Sequence, residues 1–278
     1  DDSMKRKDFL VSSAAGAAAL GTNPAALAGG DESRAEGPRS ARTPGDGLQA
    51  TPRILIAGGG FRTEFIRYMA ELTGRPRPRL CYLPTASADR ESGVIGWYES
   101  CAPLDVEPHH QNSFISSYRQ DRSWEDVFLS MDGIVVSGGN TLNQQAIWRA
   151  QGIDEVLREA WNRGVVLGGA SAGSLCWFEE GTTDSRPREL SRIECLGFLA
   201  GSHSPHYDAE AERRPTYHRL IRTGVLQPGW ACDNDAGILF EGTEAARFVS
   251  TRAEAMVYYV DLIDGEVVET PHTPDRID

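Results

Sequence analysis

The stretch VVLGGASAGSLCWF, residues 165–178, decides the fold. Val165 to Leu167 is a short apolar run with strand character. Gly169-Ala170-Ser171-Ala172-Gly173 then spells Gly-x-Ser-x-Gly, and Ala172 to Phe178 reads as the helix that follows. A serine on a sharp strand-to-helix turn has the geometry of a nucleophile elbow, and small neighbours let the chain turn that tightly. Such a turn lifts the hydroxyl above the carboxyl end of a central strand. The Ala172 amide, at the helix start, then faces the place where an oxyanion would develop. A Gly/Ala-rich turn without chemistry shares the same spelling, so the surroundings carry the weight.

On either side of this stretch, strand-like and helix-like segments alternate. Arg53 to Ala57 is apolar and ends in Gly58-Gly59-Gly60, and Phe61, Phe65, Met69 and Leu72 follow at helical spacing. Leu80 to Leu83 and Asp132 to Val136 are further strands, and Thr141 to Ala150 and Ile153 to Asn162 are helices. Alternation of this kind needs crossover connections. It predicts an α/β fold with a mainly parallel sheet sandwiched by helices. After Leu220 the pattern turns β-rich: Gly237 to Phe240, Ala246 to Ser250 and Ala255 to Val260 are closely spaced and are expected to pair antiparallel at the sheet edge.

A serine nucleophile needs a base within hydrogen-bond reach, and the base needs an orienting acceptor. Among six histidines, His206 in Ser204-Pro205-His206-Tyr207-Asp208 is the best placed, on a loop leaving an apolar segment. His203, His109 and His110 stay open as alternatives. For the acid we choose Asp184, with Asp208, Glu179 and Glu180 as alternatives. Ser137-Gly138-Gly139-Asn140 ends the preceding strand and offers a second oxyanion donor from Gly138 or Gly139, because glycine lets a backbone amide approach closely. Asn140 either caps the next helix or touches substrate.

The chain has 278 residues and a net charge of −12, which leaves no basic surplus for a nucleic-acid face. Its five cysteines form no Cys-x-x-Cys pair, so neither a zinc motif nor a redox motif is expected. Residues 1–51 read as a signal-like segment and a disordered linker, ahead of a single α/β hydrolytic domain over 52–278. From Met4, Lys5-Arg6-Lys7 and a weakly apolar stretch lead to Ala26-Leu27-Ala28, as in a twin-arginine export signal with one arginine replaced by lysine. This predicts a periplasmic or extracellular protein, or a cytoplasmic one if the signal does not function. No apolar run approaches the ~20 residues of a membrane span.

With these residues assembled, the chain resembles the peptidase E family, which includes aspartyl dipeptidases and cyanophycinases. Gly-Gly-Asn at 138–140, Gly-Ala-Ser-Ala-Gly at 169–173, Thr-Asp-Ser at 183–185 and Pro-His-Tyr at 205–207 occur in the family's order. Cys176-Trp177-Phe178 is also similar, and the resemblance runs from about Arg53 to about Val268. It implies a class I glutamine-amidotransferase-like fold, with Ser171 as nucleophile, His206 as base and Asp184 as acid. It further implies an acyl-enzyme mechanism without metal or organic cofactor, acting on short aspartyl or β-aspartyl peptides. Arg186, Arg188, Arg213 and Arg214 are then candidates to bind the substrate carboxylate.

Three other readings compete. Gly58-Gly59-Gly60 after the first strand hints at a dinucleotide turn, but Thr63 stands where a third glycine is needed and no acid ends the second strand. An esterase or non-peptide amidase would use the same catalytic groups, and a silent relative would only bind a ligand.

Overall fold

In the computed structural model the described residues are 51–115 and 120–278, all within one contact unit, Arg39–Asp278. The expected export signal and most of the linker lie outside the described residues. The chain alternates β1 (Arg53–Ala57), α1 (Thr63–Leu72), β2 (Arg79–Leu83), α2 (Glu91–Cys101), β3 (Glu107–His110), α3 (Trp124–Phe128), β4 (Gly133–Val136), α4 (Thr141–Gln151), α5 (Ile153–Asn162), β5 (Val166–Ala170) and α6 (Ala172–Leu175). Then come β6 (Phe178–Thr183), β7 (Ser191–Glu194), β8 (Leu199–Ser204), α7 (Arg213–Arg222), β9 (Gly229–Cys232), β10 (Ala236–Glu241), β11 (Glu244–Ser250), β12 (Val257–Ile263), β13 (Glu266–His272) and β14 (Asp275–Arg276).

The main sheet has the order β14-β11-β10-β1-β5-β4-β2-β3. Strands β1 to β5 in it run parallel, while β10 and β11 add antiparallel pairings at one side. Alternate residues explain why the central strands are apolar throughout. Ile54, Ile56, Leu83 and Val136 face a core with Trp148, Leu157 and Trp177, whereas Leu55, Ala57, Leu80 and Val135 face Phe65, Met69 and Trp97. A strand buried on both faces has no polar side to show.

A second sheet, β13-β12-β9-β8-β6-β7, has no counterpart in the sequence reading. Two expectations give way to it. The helix after Ser171 stops at Leu175, and Phe178 opens β6, where its ring stacks on His203 and meets Phe240 edge-on. Ala255 to Val260 leaves the main sheet: β12 pairs with β9 and β13 instead. Gly237 to Phe240 and Ala246 to Ser250 do pair at the side of the main sheet, as β10 and β11. Short apolar runs carry no partner information, so burial decides which sheet receives them.

The two sheets converge on one end of β1. Ser171 N donates to Ala57 O at 3.4 Å, while Gly58 N donates to Ala236 O and Asp235 N to Gly59 O, both at 2.9 Å. The carboxyl ends of β1 and β5 and the loop after β9 therefore meet there, where ligands bind in open α/β sheets.

Candidate active site

Ser171 sits between β5 and α6 with φ 59° and ψ −118°. A residue with a Cβ is strained there, at a cost of ~1–3 kcal/mol, and surrounding contacts must hold it. The Ser171 carbonyl accepts from the amides of Ser174 (3.0 Å) and Leu175 (2.9 Å), which fixes the turn from its far side. The side chain is left half-buried at the top of the sheet.

The loop after β4 lies against it. A Cβ added to Gly138 would stand 3.2 Å from Ser171 Cβ and 3.6 Å from its Oγ. Gly139 has φ 135°, a conformation that only glycine adopts readily, and any side chain there would strike the Ala86 carbonyl. Asn140 N donates to that same Ala86 oxygen at 2.8 Å. Its side chain caps α4 by accepting from Asn143 N (2.9 Å), and its Nδ2 donates to Ser185 O (3.1 Å). Of the two roles read for Asn140, the helix cap is the one present. Among the described residues the amides of Gly138, Gly139 and Ala172 have no backbone acceptor; Gly138 lies against the serine and Ala172 follows it in sequence.

His206 follows β8 on a loop, with φ 55°. Its Nδ1 lies 2.7 Å from Asn234 Oδ1. An amide oxygen only accepts, so Nδ1 carries the proton and Nε2 keeps a free lone pair, the tautomer a general base requires. Gly59 makes room for both residues: a Cβ there would clash with Asn234 Oδ1 and stand 3.1 Å from His206 Cε1. Ser171 Oγ and His206 Nε2 are not hydrogen-bonded to each other among the described residues; such bonds commonly tighten only with substrate bound.

Asn234 is itself clamped. Its amide donates to Asp208 Oδ1 (2.8 Å), its carbonyl accepts from Arg252 Nη2 (3.0 Å), and Arg252 pairs with both Asp208 and Asp235. Asp184 corrects the sequence reading. Its side chain is 68% exposed and lies 3.8 Å from Arg213, not against His206. Strand β6 delivers Asp184 beside α7, whereas the loop after β9 delivers Asn234 to the imidazole. Among the alternatives, Glu180 is buried against Arg192 and Gln227 N, and Glu179 binds Gly201 N.

The other histidines have structural partners. His203 is fully buried between Ser174 Oγ (3.0 Å) and Trp230 O (3.0 Å), and burial pushes its pKa down to about 3. His109 and His110 lie in β3 and bond to Glu107 and Tyr98. Strand β3 is three positions from β5 in the sheet, which at ~4.8 Å per strand is ~14 Å. Arg213 is buried and pairs with Glu210, and Arg214 binds Glu269 bidentately while lying over the Tyr207 and Tyr258 rings. Arg186 and Arg188 line a cavity of about 570 Å³ with Asp184, Glu212 and Arg219. The glycines at 58–60 are filled by residues 232–235, which leaves no cradle for a dinucleotide phosphate. Among the described residues, no group of three or more His, Cys, Asp or Glu is arranged to hold a metal.

The fold is one that solved peptidases share. A peptidase from an acI-B1 Actinobacterium superposes with a TM-score of 0.64 at 15% identity, covering 83% of this chain and 97% of that one. A protein assigned to peptidase E from Listeria monocytogenes EGD-e does so with a TM-score of 0.52 at 17% identity, covering 71% and 98%. The architecture accords with the expected class I glutamine-amidotransferase-like fold. The sequence places the chain more narrowly. The model of Peptidase family S51 matches residues 54–248, a span that includes Ser171, His206 and Asn234. YgaJ, an uncharacterised peptidase of Bacillus subtilis (strain 168), is 41% identical over 224 residues, covering 78% of this chain and 95% of that one. The chain belongs to peptidase family S51 and is a peptidase.

Proposed function

We propose that the protein is a serine peptidase that hydrolyses short peptides, with aspartyl or β-aspartyl preference, through an acyl-enzyme on Ser171. The observation that carries this reading is the strained Ser171 on the β5–α6 turn, with acceptor-free amides beside it and His206 held in the base tautomer by Asn234. His206 Nε2 takes the Ser171 proton as Oγ bonds to the scissile carbonyl carbon. The resulting oxyanion lies toward the amides of Ala172 and of Gly138 or Gly139. The imidazolium then protonates the leaving amine as the C–N bond breaks. Water, deprotonated by His206, attacks the acyl carbon and releases Ser171. No metal or organic cofactor enters this scheme.

The aspartyl preference rests on the resemblance to peptidase E and on the assignment of the Listeria protein with the same fold. Arg186 and Arg188, in a cavity lined also by Asp184 and Arg219, supply cations of the right chemistry. The test is a dipeptide panel of Asp-Leu, isoAsp-Leu, β-Asp-Arg, Glu-Leu and Ala-Leu. We expect cleavage confined to aspartyl members and a loss of at least ~10³-fold in Ser171→Ala and in His206→Ala. Near-wild-type turnover in either variant would remove that residue from its role. Cleavage of Ala-Leu as fast as Asp-Leu would remove the preference. Export through the segment from Met4 is likewise proposed from its sequence, and fractionation of the expressing cell tests it.

A further inference from the structure

Beneath the elbow lies a polar pair that the catalytic scheme does not use. Ser174 and His203 are both fully buried, and Ser174 Oγ lies 3.0 Å from His203 Nε2 and 2.8 Å from the Ser171 carbonyl. The hydroxyl has one proton for two acceptors. The Ser171 carbonyl already receives two amides, from Ser174 and Leu175. His203 Nδ1 faces the Trp230 carbonyl and must donate to it, so Nε2 is a bare lone pair whose donor is the Ser174 hydroxyl. A nitrogen left unmatched at this depth has lost its water with nothing in return, which directs the proton to His203.

The positions of the two residues give the bond its meaning. Ser174 is three residues after Ser171, on α6, and His203 is three residues before His206, at the end of β8. The bond therefore ties the turn that carries the serine to the strand that carries the histidine, across the junction of the two sheets. Its anchor is stiff: the His203 ring stacks on Phe178 at 4.8 Å and 14°. Its other end is a helix of four residues, Ala172–Leu175, with few bonds of its own.

We propose that Ser174 and His203 are positioning residues whose hydrogen bond sets the separation of Ser171 from His206. The proposal rests on Ser171 and His206 being nucleophile and base. The test is the rate of Ser171 phosphonylation by a fluorophosphonate, resolved into KI and the maximal rate, with thermal midpoints measured alongside. Ser174→Ala is expected to lower the maximal rate ~10-fold and leave KI within ~2-fold, since small misplacements of reacting atoms act on the chemical step. His203→Phe keeps the stacked ring and removes both nitrogens, with the same expected effect. The double variant should be no slower than the slower single one, because both delete one bond. Ser174→Thr, which keeps the hydroxyl, should restore most of the rate.

A folded Ser174→Ala that labels at the wild-type rate, or effects that multiply in the double variant, would overturn the proposal. So would a lowered thermal midpoint with an unchanged rate, which assigns the bond to stability alone. If Ser174→Ala does not fold, His203→Phe takes its place, and a wild-type rate there is the overturning result. The two levels separate cleanly. No labelling of the intact protein, or labelling that survives Ser171→Ala, overturns the nucleophile assignment and the positioning role with it. Labelling that requires Ser171 and His206 but ignores Ser174 overturns the positioning role only.

Discussion

An imidazole acts as a base only if the correct nitrogen is bare, and the 2.7 Å contact with Asn234 Oδ1 decides which one that is. A neutral amide does this without placing a charge against the imidazolium that forms during turnover. Its value is orientation, and the Asp208–Arg252 clamp supplies the stiffness. We therefore expect Asn234→Ala to lower kcat ~10²-fold or more with a modest change in KM, in line with the loss of an orienting partner elsewhere. Asp184→Asn, by contrast, should leave kcat within ~2-fold, because an exposed side chain beside Arg213 does not touch the imidazole. Steady-state kinetics on the best dipeptide substrate separate the two, and the opposite ranking would reinstate Asp184.

At the scale of elements, the loop between β4 and α4 does two jobs with four residues. Gly138 lies against the serine, Gly139 fits the chain past the Ala86 carbonyl, and Asn140 locks the loop by capping α4 and holding Ser185. Asn140→Ala is expected to cost ~1–2 kcal/mol, the range of a lost cap. In a domain of this size that is a fall of roughly 2–8 °C in the melting temperature. KM should change little. A large rise in KM with an unchanged melting temperature would instead give Asn140 the substrate contact that the sequence left open.

For the whole molecule, the junction of the two sheets buries an ionisable ring. Burial holds the folded His203 neutral down to about pH 3, with Arg213 and His206 nearby acting in the same direction. The unfolded chain protonates this residue near pH 6.5. Between these values the unfolded state binds the extra proton, so stability is complete above about pH 6.5 and falls with acid by about 1.4 kcal/mol per pH unit. Urea midpoints at pH 7, 5.5 and 4 measure this slope, and His203→Phe should flatten it. Equal slopes in the two proteins would place the acid sensitivity on other groups.

Much of this was legible in the linear chain, for local reasons. Apolar runs of strand length alternating with helical spacing specify a parallel sheet with helices on both faces, because no other arrangement buries them all. The serine was legible because an elbow needs small residues on either side of it, at 169–170 and 172–173, and these are consecutive. The cap at Asn140 was legible as one of two roles, from its place just before a helix. The third partner of the site was not. Asn234 stands 28 positions from His206 in sequence, in Asp233-Asn234-Asp235, and the only cue was a polar cluster at a strand end. The second sheet was hidden too, because Phe178 and Val257 look like any short apolar segment until their partners are known. Periodicity and turn chemistry act between neighbours and can be read along the chain. Which strand pairs with which, and which polar atom meets the imidazole, depends on contacts between distant residues that only burial in the folded structure selects.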